Sequence, residues 1–273
     1  MGVVAQDFDD VQISAIQVRP SIYMLQGSGG NIGVSIGVDG TLIVDDQFAP
    51  LTDKITAAIA ELTPEPVEYV VNTHFHYDHT DGNENFGRLG AAIVAHENSR
   101  VRMLTDQYVR DRPQPAYSAE GLPEITFDQA IRVHFNGQTI DIFHLGTAHT
   151  DGDAVVYFRE ANVMHTGDVY VRYGLPFIDI GNGGTINGMI RFVDAISHVI
   201  DEDTAVIPGH GAVASRQDIV EYGVMLRTIR DRVQAEIDRG RSLAQILQSD
   251  PTEGFGPGDP EDFVTNVYNG LAP

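Results

Sequence analysis

An α/β fold, with sheets packed face to face and helices outside, is the architecture this sequence predicts. Three observations lead there. The first third carries short β-favouring runs broken by turn residues, a helix-periodic segment follows, and later the chain returns to strands and then helices. At 273 residues, 42% apolar and 21% charged, it can bury a large core and reads as globular rather than disordered. Residues 1–273 are read as a single domain, with a flexible N-terminus over 1–10 and a tail over 251–273 rich in Pro, Gly and acids.

The elements follow in order. Val11–Val18, Ile22–Gln26, Ile32–Val38 and Thr41–Val44 read as strands, separated by Pro20, Gly27-Ser28-Gly29-Gly30 and Asp39-Gly40. Residues 52–62 place Ile55, Ala58, Ile59 and Leu62 at helical spacing. Val67–Val71 is a nearly continuous apolar strand; Asn83–Leu89 reads as a helix, Ile93–Ala95 as a strand and His96–Gln107 as a helix. Pro113, Pro115, Gly121 and Pro123 mark 111–124 as a surface loop. Asn136-Gly137 between Ile131–Phe135 and Thr139–Phe143 signals a two-residue hairpin. Ala154–Phe158 and Asn162–His165 are further strands. A glycine-rich stretch from Gly174 to Gly188 precedes a helix with Ile190, Val193, Ile196, Val199 and Ile200 on one face, and Thr204–Ile207 is a last strand. Ser215–Arg239 reads as a long helix with Ser215 as N-cap and Asp218 three residues on; Asp262–Tyr268 reads as a short one.

Charge and composition limit the function. The formal charge of −22 repels nucleic acid and anionic membranes, so the expected partner is a small molecule, with neither nucleic acid nor membrane involved. No apolar run is long enough to span a bilayer. Without cysteine, the chain can have no disulfide, thiolate ligand or thiol nucleophile. Met1-Gly2-Val3-Val4-Ala5-Gln6 fits a start codon joined to the remnant of a cleavage site. A removed signal would place the chain in the periplasm or outside the cell; otherwise it is cytoplasmic.

Thr73-His74-Phe75-His76-Tyr77-Asp78-His79 holds three histidines and an aspartate directly after an apolar strand. Imidazole nitrogen and carboxylate oxygen are preferred donors for zinc and its first-row neighbours. An extended backbone points His74 and His76 to one side, and Asp78 and His79 can turn toward a second centre. One open catalytic zinc takes three protein ligands plus water, so this many donors favours two metals. Further donors stand on turn-forming segments after strands, at His149, Asp168 and His210.

The set His-x-His-x-Asp-His, His149, Asp168 and His210 resembles the metallo-β-lactamase superfamily, in the same order and with spacing like that of the di-zinc class B β-lactamases. Asp45 of Leu42-Ile43-Val44-Asp45 matches the family's upstream aspartate. The resemblance implies a four-layer αββα sandwich. It implies that His74, His76 and His149 hold one Zn2+, that Asp78, His79 and His210 hold another, and that Asp168 bridges them. Asp45 would support a ligand imidazole, and Asp78 would orient a hydroxide bridging the metals. Two departures stand out. Asp168 replaces the lactamases' cysteine, as in glyoxalase II, lactonases and phosphodiesterases, and Val171 stands where lactamases commonly carry lysine. The harder oxygen ligand opens the second site to Mn or Fe. Arg172 is the expected substitute cation for a substrate carboxylate, and Asn182 resembles the lactamase asparagine near the scissile carbonyl.

The expected activity is hydrolysis of a small cyclic amide or ester, a β-lactam first. The alternatives are a phosphodiesterase, lactonase or thioester hydrolase of the same superfamily, or a metal-binding protein without turnover. Among the other histidines, His96, His134 and His198 read as surface or packing residues, while His144 and His165 are candidates to face the site. Phe177 and Ile178 are candidates for an apolar substrate wall.

Overall fold

The computed structural model describes residues 7–271. The strands are β1 (Ser14–Arg19), β2 (Ile22–Gln26), β3 (Ile32–Gly37), β4 (Gly40–Val44), β5 (Val67–Val71), β6 (Ala92–His96), β7 (Gln107–Val109), β8 (Arg112–Gln114), β9 (Ile125–Phe127), β10 (Ala130–Phe135), β11 (Gln138–Phe143), β12 (Val155–Phe158), β13 (Val163–His165) and β14 (Ala205–Ile207). The helices are α1 (Thr52–Ala60), α2 (Tyr77–Thr80), α3 (Asn83–Arg88), α4 (Glu97–Met103), α5 (Ile186–Val199), α6 (Arg216–Asp238), α7 (Leu243–Gln248) and α8 (Pro260–Leu271). Among the described residues, the strands form a seven-stranded sheet ordered β1-β2-β3-β4-β5-β6-β9, a five-stranded sheet ordered β10-β11-β12-β13-β14, and the separate β7–β8 pair.

Alternation along the strands builds the layers. Met24, Leu42, Val44 and Val71 of the first sheet meet Ile140, Ile142, Val156 and Phe158 of the second in the central core. Their neighbours Leu25, Ile43 and Val70 face the other way, onto Leu51, Ile55 and Ile59 at α1. Val155, Met164 and Val206 face Phe192, Ile196, Leu226 and Ile229 of α5 and α6. Each such side chain, fully buried, contributes roughly 1.5–3 kcal/mol. The order helix, sheet, sheet, helix is the αββα sandwich that the resemblance implied.

Local signals account for several elements. Asn136 and Gly137 have φ of 55° and 72°, the left-handed pair that a tight hairpin turn needs. The Asn136 amide also donates to Gly40 O at 3.0 Å, tying this turn to the other sheet. Ser215 and Asp218 form a reciprocal capping box at the start of α6.

Other expectations need correction. The helix expected over His96–Gln107 stops at Met103, because Gln107–Val109 pairs with Arg112–Gln114. The segment expected to be a surface loop therefore contains a strand, and Gln114 is buried there. Helix α5 starts at Ile186, four residues before its apolar face, because the Thr185 hydroxyl caps it by accepting from Gly188 N. Strand β9 and helices α2 and α7 were not foreseen. The C-terminal tail carries α8, whose Phe263, Val264 and Val267 are buried in the core with α6. Of the flexible stretch expected over 1–10, residues 1–6 lie outside the described residues, as does the cleavage remnant. Beyond them, Lys54 Nζ donates to the carbonyls of Phe8, Asp9 and Val11, and Phe8 packs on Phe48. Among the described residues no helix is long and apolar enough to cross a membrane.

The parallel pairs position the site. β4, β5 and β6 run parallel in one sheet, and β13 runs parallel to β14 in the other. Strands running the same way deliver their C-terminal ends to one edge, where loops carry the chemistry. Asp45 follows β4, the histidine segment follows β5, Asp168 follows β13 and His210 follows β14.

Two stability predictions follow from partners on the second sheet and its helices. Asp141 accepts from Arg132 Nε at 2.6 Å and from Arg159. Burial would raise its carboxyl, but the two guanidiniums outweigh that and hold it below the usual carboxylate range. Asp141→Asn should cost about 1 kcal/mol at pH 7, the arginines being half exposed. Because the folded value is the lower one, this stability is present above the unfolded value of ~3.9 and lost as pH falls through the folded value. A melting-temperature difference that persists in strong acid would reject it. Tyr222 is buried and its hydroxyl has no hydrogen-bond partner. Tyr222→Phe should leave stability unchanged or raise it by up to about 1 kcal/mol; a clear loss on denaturation would contradict this.

Candidate metal centre

The seven predicted donors come together at the common edge of the two sheets. His74, His76 and His149 form one group, Asp78, His79 and His210 another, and His74, His79 and Asp168 a third; within each, the donor atoms lie within 4.8 Å of one another. Asp168 sits between the first two groups. Its Oδ1 is 3.2 Å from His79 Nε2 and 3.5 Å from His210 Nε2, while Oδ2 is 3.7 Å from His149 Nε2. Asp78 Oδ2 is 3.3 Å from His210 Nε2. The first group is buried; Asp78 and His210, each about a quarter exposed, form the open side.

Glycines allow the close approach. A Cβ on Gly30 would stand 2.2 Å from the His79 ring, and one on Gly209 would stand 2.0 Å from Asp168 Oδ1. The glycine-rich turn after β2 thus serves the site as well as the sheet, and Gly30 N donates to Asp78 O at 2.9 Å.

Hydrogen bonds assign the tautomers. A carboxylate or carbonyl only accepts, so the imidazole nitrogen beside it carries the proton. His79 Nδ1 donates to Asp45 Oδ2 at 2.7 Å, His76 Nε2 to Asp179 Oδ2 at 2.8 Å, and His149 Nδ1 to Phe177 O at 2.9 Å. The Thr73 hydroxyl donates to Asp45 Oδ2 at 2.8 Å, so His74 Nδ1, at 3.0 Å, donates to that hydroxyl. In the neutral rings the remaining nitrogens are bare lone pairs, and all of them face inward. His149 Nε2 and His76 Nδ1 are 3.0 Å apart, His79 Nε2 and His210 Nε2 3.3 Å. His74 Nε2 and Asp168 Oδ1 are buried without a hydrogen-bond partner. Lone pairs converging in this way suit a cation, and the donor types are those that Zn2+ and its first-row neighbours prefer.

Electrostatics agree. Burial, followed by the neighbouring imidazoles, pushes His74 well below the usual histidine range, and burial also lowers His76. At His79 burial opposes charge, yet Asp168, Asp78 and Asp45 outweigh it and raise the group well above its usual value. His210 is raised to about 9 against the same burial, chiefly by Asp168. Burial would raise Asp78 too, but His79 and His210 hold it down at about 2. The acids thus stay ionised, and the centre favours positive charge between them.

Asp45 is buried, with its carboxylate on His79 Nδ1 and on Thr73 beside His74. Two other predicted residues do not reach the cluster. The Arg172 guanidinium donates to Val213 O at 2.8 Å and meets Asp218 at the start of α6, so it is held away from the donors. Asn182 is buried with its amide already engaged: Nδ2 donates to Asp179 Oδ2 and Tyr108 O, and Oδ1 accepts from Arg102. It thereby holds Asp179, the partner of His76. Both side chains find their partners on distant segments that residue spacing does not reveal.

Neither candidate histidine faces the site. His165 Nε2 donates to Asn31 O, and its Nδ1 accepts from Gly167 N. His144 stacks on His96 at 4.0 Å and donates to Asp153 O. Phe177 does flank the centre, its ring 6.1 Å from His76 and 5.8 Å from His149, whereas Ile178 is buried in the helix-packed core. Asp179 and Thr73 were missed as partners of the ligand histidines. The turn Asp179-Ile180-Gly181-Asn182, with an acid at its first position, was the available signal.

An αββα sandwich with a His/Asp cluster at the shared strand edge defines the metallohydrolase type of architecture. The chain belongs to the Metallo-beta-lactamase superfamily, whose family model matches residues 26–224. A hydroxyacylglutathione hydrolase of Pelagibacter ubique is 25% identical over 183 residues, covering 63% of this chain and 66% of that protein. An acyl-coenzyme A thioesterase of Gallus gallus is 22% identical over 207 residues, covering 70% and 72%. The chain thus spans about two thirds of the length of these curated relatives. A solved metallo-beta-lactamase from Pontibacter korlensis superposes with a TM-score of 0.68 at 16% identity, covering 79% of this chain and 99% of that one.

The partners of the imidazoles give a test. Asp179→Asn should lower metal affinity by about 10–100-fold, read by chelator competition at a temperature where both metal-free proteins are folded. Unaltered affinity would remove Asp179 from the centre.

Proposed function

We propose that this protein is a two-metal hydrolase of small acyl compounds, with thioesters and esters as the preferred substrates. The observation that carries the reading is the placement of Asp168, one carboxylate oxygen toward each donor group. In it, His74, His76 and His149 would hold one Zn2+, and Asp78, His79 and His210 a second ion, for which Mn or Fe would compete because Asp168 offers oxygen. When bound, such a pair lowers the pKa of water to about 7 and polarises a carbonyl oxygen.

The chain's own residues do the rest. Asp78, held ionised, is placed to accept a hydrogen bond from the attacking water and so orient it. Asp45, through His79 and Thr73, and Asp179, through His76, fix the rings and turn their other nitrogens inward. Phe177 supplies an apolar wall beside the first group, and Tyr173 flanks His210 with rings 5.8 Å apart. Entry is from the Asp78–His210 side, where the cluster is exposed.

Acyl thioesters come first for two reasons. Two curated relatives are named for thioester or acylglutathione hydrolysis, and an aspartate stands where the lactamases carry cysteine. Turnover of β-lactams is the second reading, favoured by ligand spacing. It is weakened because Arg172 and Asn182, the residues expected to grip such a substrate, are engaged elsewhere. Phosphodiesters fit less well with a net charge of −22.

A panel of a glutathione thioester, an acyl-lactone, nitrocefin and an aryl phosphodiester, assayed on metal-loaded protein, should show the thioester hydrolysed fastest. Nitrocefin turned over faster would reverse the order of the two readings. Asp168→Ala should lose the second metal by elemental analysis and lower kcat by at least about a hundredfold. Unchanged metal content and rate in that variant would end the two-metal scheme.

A further inference from the structure

The β7–β8 hairpin carries a cation to the metal centre that the chemistry above does not use. Its pairing of Val109 with Arg112 leaves Arg110 and Asp111 at the tip. Arg110 has φ of 54°, a left-handed conformation uncommon for a residue of its kind. A two-residue hairpin turn needs a positive φ at its first position, so the turn itself fixes the direction in which Arg110 leaves it.

The hairpin is fixed to the ligand loops at three points. Val109 is buried with Phe75 and Met103. Gln114 Nε2 donates to Phe75 O at 2.6 Å, between the ligands His74 and His76. Tyr108 O accepts from Asn182, which also holds Asp179 and through it His76. From this seat the Arg110 guanidinium lies 4.3 Å from the centroid of Phe177, the ring that flanks His76 and His149. Its charge also reaches Tyr173, on the His210 side of the centre. Among the described residues its one carboxylate partner is Asp262 of α8, at 3.4 Å, and both side chains remain partly exposed. That pair is long and partly solvated, and so readily exchanged.

An anionic substrate approaching a chain of charge −22 needs a local attraction, and a guanidinium fork matches a carboxylate. We infer that Arg110 is a specificity-determining residue for acyl substrates bearing a carboxylate on the part that lies along Phe177, which displaces Asp262 from the guanidinium. This rests on the hydrolase reading above.

The test uses metal-loaded full-length protein and two thiols that differ only in ending in a carboxylate or a carboxamide, with binding read by calorimetry. The thiolate engages the metals in both, so the difference reports Arg110. The carboxylate should bind about tenfold tighter. Arg110→Asn, which tolerates the left-handed turn, should abolish that preference and leave carboxamide affinity unchanged. Asp262→Asn should strengthen carboxylate binding alone. In a matched pair of thioesters, Arg110→Asn should raise KM for the anionic member with kcat unchanged. Equal binding of the two thiols by the unaltered protein, or a preference that survives Arg110→Asn, overturns the role of Arg110. Failure of both thiols to bind overturns the two-metal reading and this inference with it.

Discussion

Asp45 is the joint on which the centre depends. It sits immediately after β4 with φ of 64° and is fully buried. Its carboxylate accepts from Thr73 N, the Thr73 hydroxyl and His79 Nδ1. One side chain therefore orients His79 directly and His74 through Thr73, which places a member of each donor group under its control. A buried carboxylate is costly unless its lone pairs are used. Here they are spent on turning imidazoles inward, so that folding gathers their other nitrogens around Asp168.

The sandwich makes that arrangement stable. Hydrophobic burial between the sheets and under the helices holds the parallel strands in register, and the donors ride on loops at their C-terminal ends. Glycines at 30 and 209 let backbone pass within contact distance of His79 and Asp168, which a side chain would forbid. The outer nitrogens of His76 and His149 are held from one loop, through Asp179 and Phe177 O. The first group is thus braced on two sides, by the β4 end and by the loop preceding α5.

Charge is distributed with a purpose. The surface is strongly acidic, yet the centre concentrates positive demand, and Arg110 stands at its margin. The β7–β8 hairpin ties that cation to Phe75 and Asn182, residues that touch ligands or their partners. The hairpin that carries Arg110 and the imidazole His76 are therefore held through the same segments, Phe75 O and the Asn182–Asp179 pair.

Much of this was legible in the residues. Alternating apolar runs marked the principal strands, Asn136-Gly137 marked its hairpin, and Ser215 with Asp218 marked the start of α6, because each depends on neighbours a few positions away. The seven residues were legible as a set because three histidines and an aspartate fall within six positions and the order of the whole set resembles a known family. Arg172 and Asn182 were misjudged, and Asp179, Thr73 and the β7–β8 hairpin were missed, because their roles depend on partners tens of residues distant: Asp179 on His76, Asn182 on Tyr108 and Arg102, Arg172 on Val213 and Asp218. By itself the sequence determined the fold class and pointed to the His/Asp set that the fold gathers at one edge. Only the tertiary structure decided which nitrogen of each imidazole faces inward and which cation stands at the mouth, since hydrogen-bond direction is set where distant segments meet.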